Sequence, residues 1–235
     1  KTMDFPITLN GAGGTFAPQD AMTLGSTRLL TLTNGTLDLN GQTVTTGTFA
    51  TAAGTKTITA NGGTLTVSGS GSTAFNNAAP TNFSTSAGTG NGTISMTSAS
   101  AKTFVGGGST YAFKLNQGGA GALTVTGANT FSDISNSTQP ATITLPASTT
   151  TTLSSTLSIT GTSGNLITLN SSTSGTRATL SLASGTVNIS YCSIKDIVAT
   201  GGAYWKALLT NGNIDAGNSP GWFFGTNGFT SFLWN

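Results

Sequence analysis

The residue types that carry most hydrolytic chemistry are scarce in this chain of 235 residues. All six acidic residues are aspartates, and the sequence contains neither glutamate nor histidine. The aspartates are scattered along the sequence, and even the closest two, Asp4 and Asp20, are well separated. Enzymes that cleave glycosidic bonds need two convergent carboxylates, or a carboxylate beside a base. We therefore predict a protein that is not an enzyme and has no catalytic residues.

Two features remain that could carry chemistry. Lys102 and Asp133 are spaced so that they would fall on adjacent turns of a structure that repeats at about that interval. The ordinary role of such a pair is an ion pair on the surface. Cys192 lies in the apolar run 187–194, and the chain holds no histidine to activate it. We expect a buried structural thiol there.

No metal-binding or cofactor-binding residues are expected. Residues 211–218 place oxygen-bearing side chains at alternate positions, loosely as a calcium loop does, but they include one carboxylate. Trp222 stands where the closing glutamate of such a loop would be. The glycine-rich segments 106–108 and 118–121 lack the lysine of a phosphate-binding loop. We interpret all three segments as turns.

The composition is typical of a β protein with a nearly neutral surface. Charged residues make up 6% of the chain, against about 25% in an average soluble domain. The net charge of +2 comes from scattered lysines and arginines, which argues against nucleic-acid binding. The sequence has no apolar run of about 18 residues, so membrane insertion is not expected. A single cysteine excludes an intramolecular disulfide.

Two series of apolar residues recur along the chain nearly in phase. Both series repeat at a nearly constant interval of about 28 residues, within the range that is typical of solenoids. In-phase recurrence of this kind indicates that one structural unit stacks on the next. The series are Leu37, Leu65, Ile94 and Leu123, and Phe49, Phe75, Phe104 and Phe131.

These spacings predict an all-β fold, a parallel β-helix (β-solenoid). We expect about 28–29 residues per turn in the N-terminal half and about 21–24 residues per turn in the C-terminal half, with each apolar series stacked as one interior ladder. The predicted solenoid domain spans 1–221, with a potential subdivision near 135–140. An antiparallel β-sandwich also explains the short alternating runs, but it does not explain the repeat. The best helix candidate, 203–210, is weak.

Threonines occur in pairs on the polar side of the predicted strands, as at Thr57/Thr59, Thr64/Thr66 and Thr124/Thr126. Such pairs invite comparison with the threonine ladders of ice-binding β-helices. Turns of unequal length would spoil a regular lattice, so we interpret the pairs as the outward half of strands with period two.

The C-terminal segment 222–235 is crowded with aromatic residues. Aromatic side chains bury large areas, and the last turn of a solenoid leaves its apolar core uncovered. We predict that this segment either caps the last turn or docks into a partner subunit. The candidate interface residues are Trp222, Phe223, Phe224, Phe229, Phe232 and Trp234.

The C-terminal half resembles a module that recurs in virion proteins of tailed phages and in uncharacterised bacterial proteins. The likeness covers roughly residues 130–224 and is carried by the runs 187–196, 199–205, 213–218 and 221–224. The resemblance implies a β-helical virion appendage such as a tail fibre, a head fibre or a capsid decoration protein. It brings no catalytic residues with it.

Together these features predict a structural or adhesive protein on the virion surface. Its neutral face, rich in Thr, Ser and Asn, would contact host-surface glycans or neighbouring subunits. The expected partners are other virion proteins, a host glycan and further copies of the chain, for example in a trimer. The alternatives are a carbohydrate-active β-helix of the tailspike type and a secreted bacterial adhesin at the cell surface.

Overall fold

The computed structural model describes residues 2–226 and is a parallel β-solenoid of about 11 stacked turns. Every pairing between its strands is parallel, which excludes the antiparallel sandwich. In chain order the strands are β1 (Thr2–Met3), β2 (Ile7–Phe16), β3 (Met22–Leu24), β4 (Leu29–Asp38), β5 (Thr43–Thr46), β6 (Thr48–Thr51), β7 (Lys56–Thr59), β8 (Thr64–Val67), β9 (Gly71–Asn76), β10 (Phe83–Ser86), β11 (Gly92–Met96), β12 (Lys102–Val105), β13 (Phe113–Gln117), β14 (Leu123–Thr126), β15 (Thr130–Asn136), β16 (Ala141–Leu145), β17 (Thr150–Ser158), β18 (Ile167–Ser171), β19 (Ala178–Leu182), β20 (Thr186–Asn188), β21 (Cys192–Lys195), β22 (Ile197–Thr200), β23 (Tyr204–Lys206), β24 (Ile214–Asp215) and β25 (Trp222–Phe223).

The strands form three sheets that run along the solenoid. Sheet 1 has ten strands in the order β1-β3-β5-β8-β11-β13-β15-β17-β19-β22. Sheet 2 has twelve, in the order β10-β7-β4-β6-β9-β12-β14-β16-β18-β21-β24, with β2 also paired to β4. Sheet 3 is the short series β20-β23-β25. Strand numbers rise steadily along sheet 1 because each turn of chain lies on the preceding one.

The core consists of columns of inward-facing apolar side chains. Alternate residues of each strand point inward, and parallel pairing in register places each of them over its equivalent in the preceding turn. Burying one such side chain contributes about 1.5–3 kcal/mol, so the stacking of turns supplies the stability that one turn lacks. The central column of sheet 1 is fully or almost fully buried and consists of Val44, Leu65, Ile94, Leu115, Ile134 and Leu157.

The predicted leucine ladder is correct for one pair of residues and wrong for the other two. Leu65 and Ile94 are register partners in sheet 1. Leu37 and Leu123 lie in sheet 2, where their partners are Ile58 and Ile143. Strands of both sheets share the alternation of apolar and polar residues. Apolar residues at a constant spacing along the chain can therefore lie on different sheets.

The predicted phenylalanine ladder holds for three of its four members. Phe49, Phe75 and Phe104 are successive register partners in sheet 2, and their ring centroids are 5.0 and 4.2 Å apart. Phe131 lies in sheet 1 instead. Its ring meets that of Phe104 across the interior, edge to face, with the centroids 5.4 Å apart.

The turns average about 21 residues, which agrees with the prediction for the C-terminal half and is shorter than the 28–29 residues predicted for the N-terminal half. Steps of the predicted length occur in single turns, from Thr66 to Ser95 and from Thr150 to Thr179, rather than throughout the N-terminal half. The additional residues of the turn from Thr66 to Ser95 include β10, which pairs with β7 in sheet 2, and β8 and β11 stay in register in sheet 1. The steps are therefore unequal along a column of register partners in sheet 1, which runs through Thr45, Thr66, Ser95, Asn116 and Ser135.

Two Asn-Gly pairs lie in turns between strands. Asn40–Gly41 and Asn61–Gly62 have positive φ at both residues, which is the geometry of a tight hairpin-type turn. Gly35 lies inside β4, where the strand changes its partner from β6 to β7. Its φ is +89°, and a side chain there would collide with main-chain oxygens of β2. The weak helix candidate at 203–210 does not form an α-helix: the stretch contains β23, and a short 3₁₀ turn covers Leu209–Asn211.

Candidate binding face on sheet 1

The outer surface of sheet 1 carries two parallel columns of polar side chains. They flank the buried central column, one on each side, because neighbouring residues of a strand point to opposite faces. Strands in a sheet are about 4.8 Å apart, and alternate residues of one strand are about 6.6 Å apart, so the columns form a regular grid. We call this surface the polar face: Thr43, Thr64, Thr93, Lys114, Asp133 and Thr156 in one column, and Thr23, Thr45, Thr66, Ser95, Asn116, Ser135 and Ser158 in the other.

The first part of the polar face is an array of unpaired hydroxyls. Thr43, Thr45, Thr64, Thr66 and Thr93 are exposed or partly exposed. Their Oγ1 atoms make no side-chain hydrogen bond to any of the residues 2–226. Each hydroxyl can donate one hydrogen bond and accept two. The array therefore offers hydrogen bonds of both kinds to a polar ligand at fixed intervals.

The second part of the polar face is held rigid by an amide. Asn116 Nδ2 donates to Ser95 Oγ and Ser137 Oγ, both at 3.0 Å, and its Oδ1 accepts from Ser135 Oγ at 3.1 Å. The Asn116 side chain thus connects three consecutive turns. These bonds fix the orientation of the hydroxyls at this end of the face.

A cleft of about 310 Å³ opens beside this rigid part. At its floor lies Asp133, whose side chain is 7% exposed. Oδ1 of Asp133 accepts a hydrogen bond from the Ser158 backbone N–H at 3.0 Å, and Oδ2 lies 3.4 Å from Lys114 Nζ. Burial raises the pKa of the Asp133 carboxyl, while the bonds from Ser158 and the charge of Lys114 oppose that rise. The cleft is lined by Asn91, Gly92, Lys114, Ser132, Asp133, Ser155, Thr156 and Ser158.

The partner of Asp133 is therefore Lys114 and not Lys102, as the sequence suggested. Lys114 and Asp133 are register partners on the neighbouring strands β13 and β15. Lys102 begins β12 in sheet 2 and is buried there; its Nζ donates to the carbonyls of Ser98 and Gly121 at 3.0 and 2.5 Å. Burial lowers the pKa of Lys102 to about 8. Lys114 precedes Asp133 by nearly the average turn length of about 21 residues. The longer spacing of 28–29 residues predicted from the apolar series pointed to Lys102 instead.

The other candidate residues have structural roles in the described part of the chain. Cys192 is fully buried with Sγ 3.3 Å from the Ser190 carbonyl, and burial raises the pKa of its thiol to about 12, which confirms the structural thiol. In the segment 211–218, Asn213 donates its amide to the carbonyls of Ile189 and Leu208. Among residues 2–226 no three potential metal-ligating side chains of His, Cys, Asp or Glu cluster together.

The structure describes three of the six predicted interface aromatics. Trp222 is 8% exposed, and its ring meets Trp205 edge to face at 5.1 Å. The ring of Phe223 lies 5.8 Å from that of Tyr204, and Phe224 packs against the core. Phe229, Phe232 and Trp234 lie outside the described residues, so the cap or docking role of the segment stays a prediction.

Comparison with known proteins identified no relative of this chain. No protein-family model, no curated protein and no solved structure matches the chain. Within residues 2–226 no helix has the length and hydropathy needed to cross a membrane.

Proposed function

We propose that this chain is a non-enzymatic structural and adhesive protein that uses the polar face of sheet 1 to contact glycans or neighbouring subunits. The observation that carries the proposal is the grid of unpaired threonine hydroxyls on β5, β8 and β11. Sugar hydroxyls both donate and accept hydrogen bonds, as threonine hydroxyls do. One such bond contributes about 0.5–1.5 kcal/mol, so a repeating polymer along a repeating face would gain from many weak contacts.

The proposed setting is the surface of a tailed-phage particle, with other virion proteins and a host glycan as partners. Support for this setting comes from the resemblance of residues 130–224 to a module of phage virion proteins. A solenoid suits such a position because stacked turns form an extended rod with long, continuous faces.

A carbohydrate-active protein is the second candidate, and one observation favours it. Asp133 is a buried carboxyl with a raised pKa in a cleft on a β-solenoid, which is a property of many general acids. Against it, the residues lining the cleft include one carboxylate, whereas the common glycosidase mechanisms use two. Incubation with host polysaccharide distinguishes the two: release of oligosaccharides that stops in Asp133→Asn would establish the enzyme.

The adhesive proposal is tested by binding of the purified chain to an array of bacterial surface glycans. Thr66→Arg places a large side chain in the middle of the polar face, and we expect it to weaken binding by about tenfold or more. Thr124→Arg is the matched control, since Thr124 is a half-buried threonine with the same outward alternation on sheet 2. The glycan-binding part of the proposal fails if no glycan binds the wild type, or if Thr124→Arg weakens binding and Thr66→Arg does not.

A further inference from the structure

We infer that the cleft between Lys114 and Asp133 is a subsite for one neutral sugar ring, which it recognises through two adjacent hydroxyls. This inference rests on the proposed glycan-binding function and names the part of the face that gives it selectivity. Three properties of the cleft support it: the geometry of the ion pair, the balance of charge and the position of the cleft along the polar face.

The Lys114 ammonium and the Asp133 carboxylate lie farther apart than a short, charge-assisted hydrogen bond requires. A charge-assisted hydrogen bond between an ammonium and a carboxylate is about 2.7–2.9 Å long, whereas Nζ and Oδ2 are 3.4 Å apart here. Oδ1 already accepts the Ser158 N–H, but a carboxylate offers about four acceptor sites in all. Asp133 is held in place by burial, and Lys114 is 43% exposed and can adjust. The pair thus keeps acceptor and donor capacity directed into the cleft.

The charges in the cleft select a neutral ligand. An anionic group bonded to the ammonium of Lys114 would lie beside the carboxylate of Asp133, and a cationic group bonded to that carboxylate would lie beside the ammonium, so each would also meet a like charge. Two hydroxyls on neighbouring carbons match both partners at once. One donates to Oδ2 of Asp133, and the other accepts from Nζ of Lys114. The remaining polar side chains of the lining, such as Ser132, Ser155 and Asn91, are uncharged.

The size and position of the cleft fit one ring of a longer chain. Its volume of about 310 Å³ is at the lower end of the range for small-molecule sites, about 300–1,000 Å³. Asn91 and Gly92 line it, and the next residue, Thr93, is the register partner of both Lys114 and Thr64. A polymer with one ring in the cleft would therefore continue onto the threonine columns.

The test is an NMR titration of ¹⁵N-labelled protein with single sugars of similar size. The probes are the methyl glycosides of mannose, galactose and glucose, with glucuronate as the anion and glucosamine as the cation. The signal to follow is the backbone amide of Ser158, which donates to Asp133. We expect at least one neutral glycoside to shift it saturably with a millimolar Kd, and both charged sugars to bind at least about tenfold more weakly.

Two variants and one control complete the design. Lys114→Met and Asp133→Asn should each weaken the neutral sugar by about tenfold. Because Lys114 is half exposed, Lys114→Met should fold normally. It therefore tests the subsite even if Asp133→Asn fails to fold. Asp4→Asn removes the carboxylate of the exposed Arg28–Asp4 pair and should leave Kd unchanged. Tighter binding of glucuronate, or a Ser158 shift that survives Lys114→Met, would overturn the subsite.

The outcomes separate the subsite from the proposed function. If the glycan array detects binding that Thr66→Arg abolishes but no single sugar moves the Ser158 amide, the subsite is wrong and the adhesive face stands. If a sugar shifts the Ser158 amide signal and Thr66→Arg leaves glycan-array binding unchanged, the subsite stands and the proposal of an extended binding face is wrong.

Discussion

Phe75 is the residue whose removal should damage the solenoid most clearly. Its ring is fully buried and stacks between those of Phe49 and Phe104, at 5.0 and 4.2 Å, with Tyr111 edge-on at 5.9 Å. Replacing a buried phenylalanine with alanine costs about 3–5 kcal/mol. Each lost aromatic contact contributes about 0.5–1.5 kcal/mol beyond buried area, which places Phe75→Ala at the upper end of that range.

The loss should be local, because each turn of a solenoid contacts only its neighbours. All three tryptophans follow residue 204, so their fluorescence reports the C-terminal turns, while far-ultraviolet circular dichroism reports the whole chain. In urea, Phe75→Ala should lower the dichroism midpoint more than the fluorescence midpoint. Phe5→Ala is the control, since Phe5 is 56% exposed and its loss should cost less than about 0.5 kcal/mol. A loss of stability in Phe75→Ala below about 1 kcal/mol, or equal to that in Phe5→Ala, would contradict this prediction.

Three further predictions concern buried polar groups. Thr151 is fully buried opposite Leu180 and its Oγ1 has no partner among the described residues, so Thr151→Val should raise the free energy of unfolding by about 1 kcal/mol in urea; a loss of stability would contradict this. The pKa of Lys102 is about 8 in the folded chain and 10.5 in the unfolded chain, so between these values the unfolded chain binds more protons. The free energy of unfolding should therefore rise with pH in that range, by up to about 1.4 kcal/mol per pH unit relative to Lys102→Met. Equal slopes for the two proteins would contradict this. Cys192 should not react with a thiol reagent at pH 8 until the protein unfolds, and rapid labelling of the native chain would be inconsistent with its burial.

The fold class and the turn length of the C-terminal half could be predicted from the sequence, but the turn length of the N-terminal half could not. Alternating apolar residues are sufficient to define strands, and their recurrence is sufficient to indicate stacking. The register of a parallel stack, however, depends on how many residues each corner takes up. The long step from Leu65 to Ile94 is a true register step, whereas the equal step from Ile94 to Leu123 crosses between sheets. Spacing alone does not distinguish the two cases.

The candidate site was only partly predictable for the same reason. Asp133 and the pair Thr64/Thr66 were identified from their residue types. The structure showed that they share one face and that Lys114 joins them. Unequal turns were expected to spoil the regularity of the threonines. The additional residues of the long turn lie outside sheet 1 instead, where β10 pairs with β7. Thr64 therefore still pairs with Thr93.

The most direct test of the account is a structure of the chain with the polysaccharide that the glycan array selects. We expect polymer along the polar face of sheet 1, crossing the columns of Thr64 and Thr66. One ring of that polymer should lie in the cleft, with adjacent hydroxyls bonded to Lys114 Nζ and Asp133 Oδ2. Polysaccharide bound to sheet 2 or to one end of the solenoid, with the polar face empty, would contradict it.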